Sequence, residues 1–313
     1  MESTIRGLHH VTATVTDAQE DLDFYGRLLG LRLVKKTVNF DNASVYHFYY
    51  GDEYGTPGTL MTTFPYKGWN VPVGRKGAGQ ITATSFSVPA GSLDAWRRRL
   101  AEHGVRYRDV GTRHGEEVIA FEDPSGLTIE LVASARDARR PWLAEGLTEA
   151  EAIRGLHGVA LSIRSPARTL QLLNEVLGFE VVDEDEAWTR LAVNGDAPGH
   201  TLDVLHSPDA PQAANGLGTV HHVALAVPDA EEQLRMRDEL VRLGLNVTEV
   251  RDRQYFRSIY FREPGGVLYE IATIPPGFTV DEDVGQLGCG LMLPPWEEPK
   301  RAQIEAGLAQ VSH

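Results

Sequence analysis

Short runs of alternating apolar and polar residues recur along this chain, each followed by a stretch whose apolar positions fall three and four apart. VTATV at 11–15, TATSFSV at 82–88, VALSI at 159–163 and VALAV at 223–227 alternate with period two, the signature of a strand with one buried face. The stretches that follow, such as DAQEDLDFYGRLLG, DAWRRRLAEHG and DAEEQLRMRDELVRLG, predict helices. Asp17, Ser165 and Asp229 stand where an N-cap is expected, and Gly30, Gly104, Gly178 and Gly244 where helices stop. Two or three further short strands come next, in the first case LRLVKKTV, SVYHFYY and TLMTTF, set apart by Gly, Asp and Pro turns. The predicted unit is βαβββ.

The unit is repeated. RGLHHV from Arg6 is echoed by RGLHGV from Arg154, and at the same offset of 148 DFYGRLLGLRLV aligns with QLLNEVLGFEVV. FEDPSGLTIE, ending at Glu130, matches FREPGGVLYE, ending at Glu270, at an offset of 140; GQITATSFSVP matches GTVHHVALAVP at 139. The chain therefore reads as an α+β protein of four βαβββ modules in two duplicated halves. The expected organisation is an N-terminal pair of modules over 1–140, a linker over 141–153 where charged segments interrupt the strand pattern, and a C-terminal pair over 154–275. A Pro-rich and then amphipathic tail over 276–313 is expected to pack on the surface.

Charge narrows the possible partners. A formal net charge of −14 disfavours a phosphate backbone as ligand, so no nucleic acid is expected. No apolar run reaches the roughly 20 residues of a membrane span, so no membrane is expected either. The single cysteine, Cys289, can form no internal disulfide, which suits a reducing cytoplasm.

Candidate chemistry comes from the repeat. The position just before the aliphatic run of each first strand is His10, Ala83, Gly158 and His222 in modules one to four. The two histidines each lie seven residues before an N-cap candidate, Asp17 or Asp229, and so occupy equivalent places. Glu130 and Glu270 lie near the end of the last strand of each half, after Pro-x-Gly turns and before apolar residues. A site drawn from modules one and four would hold His10, His222 and Glu270; its counterpart from modules two and three would hold Ala83, Gly158 and Glu130. One site is complete and its twin is dismantled. Two imidazoles and one carboxylate leave coordination positions open, which suits non-haem Fe(II) oxygen chemistry better than structural zinc. His9 and His221 precede these residues, and neighbours in a strand face opposite ways, so one member of each pair is expected to stand behind the other.

These features carry a resemblance. The four βαβββ units, GLHHVT, TVHHVALAVPD and FREPGGVLYEIAT, together with YGDEYGTPGTLMTTFP, WNVPVGRKGAGQ and the LPP-containing tail, resemble the vicinal oxygen chelate superfamily and, within it, the para-hydroquinone ring-cleaving dioxygenases. The resemblance implies curved mixed sheets around a metal cleft, with His10, His222 and Glu270 as ligands of Fe(II) or, alternatively, Mn(II). It also implies roles beside the metal for Arg253 and Tyr260 in RDRQYFRSIYF: a permanent cation for an anionic oxygen, and a phenol that hydrogen-bonds or passes a proton. His9, His221 and Tyr260 are the candidate proton-handling groups. The implied reaction brings a deprotonated aromatic hydroxyl and O2 together and opens the ring of a small hydroquinone or catechol. A homo-oligomer is compatible with exposed sheet edges.

Two other readings share the fold. A glyoxalase-type isomerase or lyase calls for a fuller carboxylate set, and TLMTTF offers none at the end of module one. A non-catalytic drug-binding protein calls for aromatic walls, for which Phe40, Tyr46, Phe48, Tyr49 and Trp69 are candidates.

Overall fold

A computed structural model describes residues 3–312. Module one forms β1 (Leu8–Val15), α1 (Ala18–Leu22, continued by a π-helical turn over Asp23–Leu28), β2 (Arg32–Asn39), β3 (Asn42–Gly51) and β4 (Leu60–Pro65). Module two forms β5 (Gln80–Pro89), α2 (Leu93–Glu102), β6 (Tyr107–Arg113), β7 (Glu116–Glu122) and β8 (Thr128–Ser134). Module three gives β9 (Gly155–Ile163), α3 (Ala167–Glu175), β10 (Glu180–Glu184), β11 (Trp188–Ala192) and β12 (Thr201–His206). Module four gives β13 (Thr219–Val227), α4 (Ala230–Arg242), β14 (Arg251–Asp252), β15 (Arg257–Arg262) and β16 (Leu268–Thr273), and the tail adds α5 (Arg301–Gly307). Each module is βαβββ, as the periodicity predicts.

The modules do not pair within the sequence halves. Modules one and four share a curved eight-stranded sheet in the order β14-β15-β16-β13-β1-β4-β3-β2, and modules two and three share the other, β10-β11-β12-β9-β5-β8-β7-β6. In each sheet the two first strands lie antiparallel at the centre (β1 with β13, β5 with β9), and each runs parallel to the last strand of its own module. The halves 1–140 and 154–275 are thus units of sequence, and each packed sheet takes one module from each. Between sheets, the intermodule segments around Val73–Ala78 and Gln212–Leu217 cross through isolated bridges. Gly77 permits that approach, since a Cβ there would meet the Pro211 carbonyl oxygen at 2.1 Å.

Helices cover the outer faces. Asp17 caps α1 by accepting from the amides of Gln19 and Glu20, and Asp229 caps α4 by accepting from Glu232. Ser165 does not cap α3: Pro166 takes the N-cap position without a side-chain bond, because proline's fixed φ already sets the turn. Gly30, Gly104, Gly178 and Gly244 each end a helical segment at positive φ. α2 buries Leu93, Trp96 and Leu100, and α4 buries Gln233, Met236 and Leu240, the expected helical stripe. Gln233 is anchored: its Nε2 donates to the carbonyls of Arg257 and Ile271, both at 2.7 Å, and so fixes α4 over β15 and β16.

The first strands depart from the half-buried expectation. β1 and β9 are buried at every residue, and β13 at all but His221. Central position explains this: one face lies under helices while the other lines the concave side of the sheet. The tail is also tied in. Phe278 stacks on Tyr255, Leu293, Ile304 and Leu308 bury against Val38, and the fully buried Lys35 ammonium pairs with Asp281 at 2.6 Å and with Glu282. Among the described residues no helix is long and apolar enough to cross a membrane. Cys289 is exposed and unpaired.

Candidate active site

Register brings the chemistry together. In the central pair of the first sheet His10 lies opposite Ala224, and His222 opposite Thr12; β16 then sets Glu270 beside Ala224. Each strand alternates faces, so His10, His222 and Glu270 all point to the concave side. His10 Nε2 and His222 Nε2 are 3.3 Å apart, and Glu270 Oε2 lies 3.3 Å from the first and 2.8 Å from the second. Donor atoms about 2.1 Å from one ion and at right angles to each other lie about 3 Å apart, so the triangle fits one face of a metal's coordination shell. Among the described residues this is the one His/Cys/Asp/Glu group able to hold a metal. Glu270 is fully buried, and its Oε2 has no conventional hydrogen-bond partner while Oε1 accepts from Ser258. A buried carboxylate oxygen left in this state is what a cation would complete. Burial works against ionising Glu270, yet the His10 and His222 rings outweigh it and hold the carboxyl well below its usual range. Burial likewise pushes the His222 imidazole down, which keeps it neutral and able to ligate.

The preceding histidines stand behind these groups. His9 Nδ1 meets His10 Nδ1 at 2.9 Å, and His221 Nδ1 meets His222 Nδ1 at 2.7 Å. Such a contact forms when one ring donates and the other accepts; with the inner ring donating, its Nε2 lone pair turns to the site. Burial, reinforced by the adjacent imidazole, lowers both His9 and His221 to about 3, so both stay neutral.

Arg253 and Tyr260 also reach the site. Tyr260 pairs with Glu270 across β15 and β16, and its hydroxyl accepts from Arg253 Nε at 3.1 Å. Burial and the neighbouring Glu270 raise the Tyr260 phenol, which therefore keeps a proton to donate. Asp41, at the tip of the β2–β3 hairpin, holds Arg253 from the far side at 2.9 Å.

A cavity of about 260 Å³ opens over these residues, lined on the module-one side by Thr12, Phe40, His47, Tyr49 and Phe64. It exceeds the roughly 150 Å³ that accepts a benzene and falls short of the roughly 300–1,000 Å³ of drug-sized pockets. A single substituted ring fits. Of the aromatics considered as pocket walls, only Phe40 and Tyr49 line this cavity; Phe48 is in the core, Tyr46 packs on the tail and Trp69 is largely exposed. Periodicity alone did not separate them, because strand aromatics face either way.

Sequence reasoning also missed His47, Thr62 and Ser258. Thr62 lies beside Thr12 as Glu270 lies beside Ala224, two residues past His10 and His222 respectively. It therefore occupies in module one the place that Glu270 occupies in module four. Aligning TLMTTF with VLYEIA at Leu60 and Leu268 would have exposed this.

The twin site is filled. Glu130 accepts from Ser85 Oγ at 2.7 Å and from both terminal nitrogens of Arg113; Asp203 accepts from Arg190 at 2.6 and 2.7 Å. A Cβ on Gly158 would lie 2.6 Å from Thr201 Oγ1, so no histidine fits there.

Comparison with known proteins agrees with this architecture. The sequence model of the Glyoxalase/Bleomycin resistance protein/Dioxygenase superfamily matches residues 7–131 and 155–271. MhqE of Bacillus subtilis (strain 168), named as a ring-cleaving dioxygenase, is 44% identical over 298 residues, covering 95% of this chain and 96% of the relative. The chlorohydroquinone/hydroquinone 1,2-dioxygenase of Sphingobium indicum is 36% identical over 308 residues, covering 96% and 95%. A crystal structure of a protein from Bacillus subtilis subsp. subtilis str. 168, titled as a dioxygenase, superposes with a TM-score of 0.94 at 42% identity, covering 100% of this chain and 99% of that one. Matched in both duplicated segments and aligned with these relatives over nearly its whole length, the protein belongs to the Glyoxalase/Bleomycin resistance protein/Dioxygenase superfamily.

Proposed function

We propose that this protein is a ring-cleaving dioxygenase, acting on a monocyclic hydroquinone or catechol at a metal held by His10, His222 and Glu270. The observation that carries the reading is the convergence of two imidazole nitrogens and one buried carboxylate oxygen, 2.8 to 3.3 Å apart, under a cavity the size of one ring. The donor set suits Fe(II), with Mn(II) as the other candidate. When bound, the ion supplies Lewis acidity and an electron path between an electron-rich ring and O2.

The chain's own residues do the rest. His9 and His221 hold the inner imidazoles in the tautomer that ligates. Arg253, permanently cationic, stabilises negative charge on the ring's oxygen. The protonated Tyr260 hydroxyl, with Arg253 donating to its oxygen, is placed to give a proton to that side of the cavity. Phe40, Tyr49 and Phe256 supply apolar walls that limit water around the ring.

The isomerase reading is disfavoured by Thr62, which stands where a second carboxylate would complete the four-ligand set. The drug-binding reading is disfavoured by the cavity's small size and polar floor. The test is anaerobic loading with Fe(II) followed by O2 uptake with hydroquinones and catechols, beside His222→Ala. Stoichiometric uptake with a ring-opened product, lost in the variant, is the expected result. One tightly bound metal with no uptake from any diol would refute the dioxygenase reading.

A further inference from the structure

The side of the cavity opposite Glu270 carries a hydrogen-bonded chain that the proposed reaction has not used. Thr12 Oγ1 and Thr62 Oγ1 are 2.7 Å apart, and Thr62 Oγ1 lies 2.9 Å from His47 Nε2. The local two-fold relation between modules one and four defines what this chain faces. Thr12 and Ala224 each lie two residues beyond a candidate ligand histidine, and Thr62 and Glu270 are their neighbours on the last strand. Tyr49 is then opposite Thr62 as Tyr260 is opposite Glu270, which makes His47 the counterpart of Ser258. Ser258 supports the Glu270 carboxylate, and His47 supports the Thr62 hydroxyl. Threonine carries its oxygen two carbons nearer the backbone than glutamate does, so Thr62 takes up less of the cavity than its counterpart Glu270, and His47 lines the same cavity.

His47 is held for contact with a ligand. The ring is clamped between Tyr49 and Phe64, with centroids 4.1 and 4.3 Å away, and it lines the cavity. Its Nε2 is committed to Thr62, and among the described residues Nδ1 makes no hydrogen bond. Of the other polar groups of the wall, Asn39 is paired with Tyr66, Arg253 with Asp41 and Tyr260, and His221 with His222, while among the described residues the Tyr49 and Thr14 hydroxyls, like His47 Nδ1, have no hydrogen-bond partner. Burial drives the imidazole well below its usual pKa, so it is neutral and offers either a donor or an acceptor according to tautomer.

We propose that His47, oriented by Thr62, is a specificity-determining residue that binds the hydroxyl of a 1,4-diol lying across the ring from the metal-bound hydroxyl. The inference rests on the dioxygenase reading above and selects the hydroquinone within it. In a 1,2-diol both oxygens sit on one edge of the ring, at the metal, and Nδ1 stays unpaired. In a 1,4-diol the second hydroxyl projects a full ring's width away, where it needs a polar partner that donates or accepts one hydrogen bond.

The test is anaerobic calorimetry on the Fe(II)-loaded protein, comparing hydroquinone with phenol, which lacks the second hydroxyl, in wild type, His47→Leu, His47→Gln and Thr62→Val. Without O2 no turnover occurs, so binding is read apart from catalysis. Hydroquinone should bind wild type about tenfold more tightly than phenol, the worth of one buried hydrogen bond. His47→Leu should remove that advantage while leaving phenol affinity unchanged. His47→Gln should restore most of it, and Thr62→Val should fall between. Equal binding of phenol and hydroquinone by wild type overturns the inference, as does parallel loss of both ligands in His47→Leu, which marks a structural role. O2 uptake by wild type is measured separately: absence of uptake with an intact binding difference refutes the dioxygenase reading and leaves the His47 contact standing.

Discussion

The two eight-stranded sheets have the same strand plan and opposite interiors. In the first, the pseudo-equivalent central positions hold His10 and His222, and the neighbouring Glu270 Oε2 is left without a hydrogen bond. In the second, the same positions hold Gly158 and Ala83, and the equivalent Glu130 is closed by Arg113. Arg190 pairs with Asp203 and His157 with Glu116 nearby, while Arg113 Nε, His114 Nε2 and Glu116 Oε1 have no hydrogen-bond partner among the described residues. The difference lies at the equivalent glutamates: Glu270 keeps one oxygen unpaired, whereas both oxygens of Glu130 are paired. Duplication therefore produced one scaffold twice. One copy holds its buried carboxylate against two imidazoles, and the other holds it against an arginine.

Exchanging the two glutamates is the sharpest way to break this comparison. Glu270→Gln should lower metal retention and cut O2 uptake by more than about a thousandfold, since it removes the only anionic donor of the proposed set; metal analysis and oxygen-electrode rates check this. Glu130→Gln should leave the rate per folded molecule unchanged and instead destabilise the fold by about 2 kcal/mol, because Arg113 would lose its closest counter-charge and keep only Asp203 at 3.8 Å; chemical denaturation measures it. A loss of activity in the second variant at full folding would mean that the sheets are functionally coupled, against the division drawn here.

A smaller effect concerns acid. Burial raises the Glu116 carboxyl, but the His157 contact, with Ser134 and Arg136, outweighs it and lowers the group from 4.5 to about 2. A carboxyl depressed in the folded state adds stability that is present above its unfolded pKa and is lost as pH falls through the folded one. The wild-type advantage over Glu116→Gln should thus be full above about pH 5 and shrink between 4.5 and 2, with an expected size of about 1 kcal/mol after solvent screening. Unfolding curves at pH 6, 4 and 2.5 test it; an advantage that stays constant with pH would reduce Glu116 to a packing residue.

Much of this architecture was legible in the chain. Offsets of 148, 140 and 139 established the duplication, and period-two runs followed by helical stripes established βαβββ. The same offsets aligned His10, His222 and Glu270 against Gly158, Ala83 and Glu130, so both the candidate metal group and its dismantled twin were visible before any coordinates. Local signals succeeded where the physics is local: Asp17 and Asp229 cap because their carboxylates reach amides two and three residues on. Ser165 failed because the following proline took over the turn.

What the sequence could not assign depended on neighbours distant in the chain. Alternation told which strand residues share a face but not that β1 and β9 are buried on both faces, since that follows from their central place beneath helices. It did not separate His47, with Nδ1 unpaired in the cavity, from Phe48, one residue on and in the core. It also did not reveal that Arg113 reaches Glu130 or that Thr62 mirrors Glu270. Periodicity and repeats are properties of a single strand or helix read along itself, so the sequence determined the modules and the candidate ligands. Which module packs against which, and hence which polar atoms are left unpaired, is fixed by strand register between segments some two hundred residues apart, and only the tertiary structure decided it.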